Sequence, residues 1–238
     1  MDSPDLILLL PLWYAVFLLS LTCHEAAHAA VAYLGGDPTA YLGGQVTLNP
    51  LPHIRREPFG TVLFPLLSFL LFGSGGGSRW MIGWASAPYD PFWEDRHPRR
   101  AALMAAAGPA ANLVLLTIGF AVLRYGFVRG WWAEPPGDLW ALDRLVMPLA
   151  ENTGMLEGFG RLFSIVMVLN LVLFLFNLLP FPPLDGASVL ALIPPLRPFM
   201  LGLRSSPVGG WMGILFAWVV FPSMFMPVFG WLQGFLYG

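Results

Sequence analysis

Four apolar stretches, residues 6–34, 101–124, 161–180 and 208–236, are each long enough to cross a bilayer. They constrain this chain more than anything else in it. A hydrocarbon core of about 30 Å takes roughly 20 helical residues at about 1.5 Å each. No water is present there to satisfy amides, so the backbone must be helical or closed into a barrel. The 238 residues are 57% hydrophobic and 11% charged, whereas a soluble domain carries about 25% charged residues. The chain therefore reads as an α-helical multi-pass membrane protein, one domain over residues 1–238, with the lipid bilayer as its solvent. The count is four to six transmembrane segments, depending on 59–87 and 187–203. A net charge of -2 argues against nucleic acid or a polybasic lipid-binding role. All 12 basic residues are arginine, a coding bias expected of a GC-rich prokaryote.

Residues 6–34 read as one helix, stopped by Gly35-Gly36-Asp37-Pro38. No basic segment precedes the run and no small-residue cleavage site follows it, so it is expected to be retained rather than removed as a signal peptide. Residues 41–50 alternate between turn residues and read as a short strand or hairpin. Such a β element must be buried in protein, lie at the surface or pair with something extended, because strand edges cannot face lipid. Residues 59–73 are apolar up to the break Gly73-Ser74-Gly75-Gly76-Gly77-Ser78. With 79–87 they predict either a re-entrant hairpin or an interrupted helix. The stretch 125–160 reads as a long loop. The segment 161–203 carries Asp185 behind a proline-broken helix end, and 208–236 is the last span. If the first helix runs inward, the loops on the inner side hold more arginines than the outer ones, in line with the positive-inside rule.

His24-Glu25-Ala26-Ala27-His28 lies within the first span, where ionisable groups are costly unless paired or metal-bound. Leu6 to His24 is 18 residues, about 27 Å of rise, so the cluster sits near the far side from the N-terminus. Four-residue spacing puts both imidazoles on one helix face, able to bite one cation. A hydrolytic zinc centre usually has three protein ligands and an open position for water. Asp185 is the candidate third ligand, at the same depth as His28 in the inferred topology; its competing role is a helix N-cap before Gly186. Cys23, the one cysteine, excludes an intrachain disulfide and reads as a small buried residue.

Several segments in a fixed order extend this pattern. His24–His28 is followed by Gly44-Gln45-Val46-Thr47-Leu48-Asn49-Pro50-Leu51-Pro52-His53-Ile54, then Ile82-Gly83-Trp84-Ala85 with Pro88. Next come Gly108-Pro109-Ala110-Ala111-Asn112 and Asn177-Leu178-Leu179-Pro180-Phe181-Pro182-Pro183-Leu184-Asp185-Gly186. Through these the chain resembles the site-2 protease family of intramembrane zinc metalloproteases, especially its short prokaryotic members without PDZ or CBS domains. The resemblance implies one zinc held by His24, His28 and Asp185, with Glu25 as general base. It also places Asn112 and Asn177 near the site, where an amide could donate to an oxyanion or orient substrate, or else join helices by hydrogen bonds. The 41–50 segment would offer an edge to an unwound substrate. His53 is expected to make a polar contact near the entrance, and His97 to be solvated. Gln45 and Arg55 depart from the residues many relatives carry.

The expected activity is zinc-dependent hydrolysis of peptide bonds in transmembrane segments of other proteins, in a cell membrane and toward the cytoplasmic side. Two rivals use the same residues: a membrane metal-binding or transport protein, and an inactive protease-like scaffold. Transport would call for ionisable residues along the other spans, and 101–124 and 161–180 have almost none. A silent scaffold would be marked by loss of Glu25 or Asp185, and both are present.

Overall fold

The structure is a computed structural model that describes residues 3–72, 80–150 and 154–238. Among the described residues, four helices are long and apolar enough to cross a membrane. These are α1 (Ser3–Leu34), α6 (Pro98–Val128), α7 (Gly154–Asn177) and α10 (Pro207–Tyr237). Between them run six short helices: α2 (Thr39–Leu42), α3 (Pro50–Arg56), α4 (Phe64–Phe72), α5 (Pro91–Arg96), α8 (Asp185–Leu190) and α9 (Arg197–Ser205). The chain is thus a multi-pass helical membrane protein, and the spans begin or end a few residues outside the expected limits.

Helix α7 is the central post. Every residue from Ser164 to Leu171 is buried, more than two full turns, as expected of a helix that is apolar all round. Ile165, Val166 and Leu169 pack with Leu9, Trp13 and Phe17 of α1. Met167, Val168, Leu171 and Leu175 pack with Leu116 and Leu123 of α6 and with Phe221 and Phe225 of α10. Helix α10 is peripheral. Phe221, Phe225 and Phe229 form its inner stripe, with ring centroids 5.4 and 5.3 Å apart. Trp211, Leu215, Val219 and Met226 are exposed on the other side, which suits lipid contact.

Residues 41–50 do not form the expected strand. Helix α2 runs through Leu42, Gly44 turns the chain at φ 70°, and Asn49 caps α3 by accepting the Leu51 N–H, with Pro50 in the first turn. An Asn-Pro helix start leaves only a short link between α2 and α3, and it takes no part in the sheet. The β element lies instead in the 125–160 stretch, where β1 (Trp132–Ala133) pairs antiparallel with β2 (Met147–Pro148). That stretch is no free loop. Trp132, Leu145 and Val146 are buried, and Arg161 binds Asp143 at 3.1 Å and Glu157 at 3.0 Å.

Among the described residues, the 59–72 and 80–87 segments lie against each other. A π-helical turn, Phe59–Leu63, leads into α4, and the chain returns extended. Trp84 N–H donates to the Gly60 carbonyl (3.0 Å), and Ile82 N–H to Ser68 Oγ (3.0 Å). The glycine-rich break at 73–78 lies outside the described residues.

One latch sets the register of α6 on α1. Buried Asp37 accepts from the Thr39 N–H and hydroxyl and from the Asp90 N–H at 2.8 Å. Asp90 in turn caps α5, and the Trp93 indole N–H and Arg100 both donate to the Gly35 carbonyl. His97, expected to be solvated, joins α5 to α6 with its ring 6.2 Å from that of Trp93. Burial opposes ionisation of Asp37, but the bonds from Thr39 and Asp90 outweigh it and hold its carboxyl below the ordinary value. The folded state therefore has the lower pKa. The stabilisation is complete above about pH 4 and fades as pH falls toward the folded-state value. Asp37→Ala is expected to cost about 1–3 kcal/mol near neutral pH. Thermal melts in detergent should show that its deficit against wild type shrinks in acid.

Candidate metal centre

The four-residue spacing in α1 brings the His24 and His28 rings edge to face, with centroids 4.6 Å apart. Their Nε2 atoms stand 3.0 Å from each other. Asp185 Oδ2 is 3.2 Å from His24 Nε2 and 3.4 Å from His28 Nε2. The other ring nitrogens decide what this triangle is. His28 Nδ1 donates to the Met104 carbonyl at 2.7 Å, and His24 Nδ1 donates to Asn112 Oδ1 at 2.6 Å. Both acceptors are carbonyl oxygens, so each neutral ring carries its proton on Nδ1 and turns a bare Nε2 lone pair inward.

Three lone-pair atoms then face one point. Asp185 Oδ2 is buried without a hydrogen-bond donor. A shared proton would relieve one pair of these atoms; one divalent cation relieves all three. Ligands about 2.0–2.1 Å from a tetrahedral Zn²⁺ stand roughly 3.3 Å apart, and the observed 3.0–3.4 Å sides fit that arrangement. Among the described residues this is the one group of three potential ligands.

Two glycines make the geometry possible. A Cβ at Gly108 of α6 would overlap both His24 Nε2 and His28 Nε2, so the missing side chain leaves the space in front of the ligand atoms. A Cβ at Gly186 would overlap the Leu178 carbonyl, so only glycine lets the first turn of α8 press against the end of α7. Asp185 is the first residue of α8, and Leu184 holds the cap position. The carboxylate therefore turns to the histidines instead of capping the helix.

Glu25 is buried on the same turn of α1. It is not among the three converging residues. The contacts of Asn112 are hydrogen bonds between helices, the second of the two roles open to it. It is fully buried, its Oδ1 accepts from His24, and its Nδ2 donates to Asn170 Oδ1 (2.9 Å) and the Ser20 carbonyl (3.4 Å). Both of its amide protons are committed within the bundle. Asn177 Nδ2 donates to the Leu173 carbonyl within α7 at 2.9 Å. Cys23 is half-buried and faces a groove of about 620 Å³, lined by Ala26, Ala27 and Ala30 of α1, Val46–Leu48, and Ala111 of α6. His53 is buried and donates to the Thr47 carbonyl in that groove's wall at 3.1 Å.

Asn170, the Met104 carbonyl and the space at Gly108 were not foreseen. Asn170 left a signal in the sequence, as an amide in the middle of the apolar run 165–176.

Residues 13–197 match the profile of Peptidase family M50. YwhC of Bacillus subtilis (strain 168), provisionally named a zinc metalloprotease, is 38% identical over 189 residues, 79% of this chain and 71% of its own. Rip2 of Mycolicibacterium smegmatis, provisionally named likewise, is 33% identical over 187 residues, 77% of this chain and 57% of its own. Rip2 of Mycobacterium tuberculosis (strain ATCC 25618 / H37Rv) is 32% identical over 185 residues, with the same coverage. No solved structure gives a significant match.

Gly108→Ala sets the needs of the helix against those of the site. Alanine favours a helix interior by about 1 kcal/mol over glycine, but its methyl would fill the space before both Nε2 atoms. Metal affinity is expected to fall at least about tenfold, and because the methyl also overlaps two buried rings, the metal-free protein is expected to melt lower than wild type despite the helix preference. Chelator competition and thermal melts measure the two.

Proposed function

Because the chain belongs to Peptidase family M50, the site-2 protease family, we propose that it is a zinc-dependent intramembrane endopeptidase. Its substrates are transmembrane segments of other membrane proteins. The observation that carries this is the convergence of three lone-pair atoms, from His24, His28 and Asp185, inside a bundle of four apolar spans. His24 and His28 hold the ion through Nε2, and Asp185 holds it through Oδ2. When bound, zinc polarises the scissile carbonyl and makes an adjacent water acidic enough to be deprotonated near neutral pH.

Glu25 is the general base. It neighbours the ligands without being one of the three, so its carboxylate is free to take a proton from the attacking water and return it to the leaving amine. The low polarity around it strengthens each charge interaction on the way. The groove between α1 and α6 receives the substrate. Its alanine floor leaves room for side chains, and it runs along the helix that carries both histidines. A peptide bond must be extended before water can reach its carbonyl, and an open groove accepts an extended chain where a packed helix pair would not. The distribution of arginines favours a cell-membrane orientation with the site toward the cytoplasm.

Glu25→Gln is expected to bind zinc like wild type and to lose cleavage of a co-reconstituted single-pass protein by at least about 10²-fold, the scale of general-base catalysis. Asp185→Ala is expected to weaken zinc binding. Metal analysis and gel-based cleavage in proteoliposomes test both variants; equal cleavage by wild type and Glu25→Gln would remove the mechanism.

A further inference from the structure

The two histidines of the centre are oriented in different ways. His28 donates directly to a main-chain carbonyl, Met104 O, whose polarity cannot change. His24 donates to a side-chain amide, Asn112. An amide can turn over, exchanging its oxygen for an NH₂ group at almost no change in shape. If Asn112 turned over, its NH₂ would face His24 Nδ1 and favour the opposite tautomer, with the proton on Nε2 and no lone pair toward the metal. Something must prevent this.

The preventing contacts come from α7, which contributes no ligand. Asn170 Nδ2 donates to the Val166 carbonyl at 2.9 Å and to Ser20 Oγ at 2.9 Å. The Val166 carbonyl can only accept, so the NH₂ of Asn170 must face it and the oxygen of Asn170 must face Asn112. That oxygen can only accept, so Asn112 must present its NH₂ there, at 2.9 Å. The Ser20 carbonyl imposes the same orientation from α1, at the longer distance of 3.4 Å. The oxygen of Asn112 is left for His24 Nδ1–H. Each step has one permitted direction, and the direction originates in a backbone carbonyl of α7. Ser20, Asn112 and Asn170 are all 1% exposed or less, so no bulk water competes.

We propose that Asn170 is a positioning residue for the metal centre: acting through Asn112, it fixes the His24 tautomer that turns Nε2 toward the ion. This rests on the zinc-ligand role proposed above for His24. It also couples the central helix to the site, so that a shift of α7 against α6 would alter how well the ion is held.

The test is zinc affinity of the full chain in detergent, by competition with a chromophoric chelator. Asn170→Leu keeps the branched shape of the side chain and removes its polarity. It is expected to weaken zinc about 10–100-fold, the range found for partners behind metal-binding histidines. In an Asn112→Ala background the same change should cost less than about threefold, because the path to His24 is already cut. A purely structural role would give equal losses in the two backgrounds. Unchanged affinity in Asn170→Leu, or equal losses with and without Asn112, overturns the proposal. A wild type without zinc affinity overturns the ligand assignment itself, a different outcome.

A second measurement needs no variant at position 170. In ¹⁵N-histidine-labelled, metal-free wild type, the His24 signal, assigned by its loss in His24→Gln, is expected to show a protonated Nδ1. A protonated Nε2 in neutral His24 overturns the proposal.

Discussion

Three lone pairs aimed at one point inside an apolar bundle repel one another unless a positive charge lies between them. Most of the tertiary structure around His24, His28 and Asp185 serves to impose this arrangement. The Met104 carbonyl and the Asn112 amide hold the ring protons on the far side. Gly108 leaves the near side empty, and Gly186 lets the chain after α7 bend close enough to bring Asp185 in. An unpaired buried polar atom costs about 1–3 kcal/mol, and more when charged. The cluster is therefore a local debit in the absence of metal, held in place by packing elsewhere.

That packing is concentrated in α7 and at the two ends of the bundle. Helix α7 is buried on every side through its middle and joins the α1 cluster to the α6 and α10 cluster. At one end Asp37 ties the exit of α1 to the start of α5, just ahead of α6. At the other, Arg161, Asp143 and Glu157 hold the 130–150 segment against α7. A shift of α6 along α1 by one turn, about 5.4 Å, would separate Gly108 from the histidines and Asn112 from His24. The latch at Asp37 therefore acts on the chemistry from outside the site.

The groove between α1 and α6 and the loss of the expected strand belong together. Because 45–48 is only a short link between helices, it borders the groove with Val46, Thr47 and Leu48 and does not fill it. Cys23, Ala26, Ala27 and Ala30 come to the same wall because they occupy the face of α1 beside the one that carries His24 and His28. One helix thus presents the two histidines on one face and small side chains on the next.

Much of this was legible from sequence. Span lengths follow from apolar runs and bilayer thickness, since the backbone has no other way to satisfy its amides in lipid. The shared face of His24 and His28 follows from helical periodicity, and the order of motifs pointed to the family. The strand at 41–50 was misread because alternation over a few residues is weak evidence beside an Asn-Pro helix start. Which donors and acceptors Asn112 meets depended on distances between helices, which no local pattern encodes. Sequence by itself determined the solvent, the spans and the identity of the ligand candidates, because these depend on hydrophobicity and on spacing within one helix. Only the tertiary structure decided that Asp185 meets the histidines, that Gly108 clears the space before them, and that a carbonyl of α7 governs His24 through two amides. Those contacts join residues 58 to 161 positions apart along the chain, and only the packing of α1, α6, α7 and α8 brings them within reach.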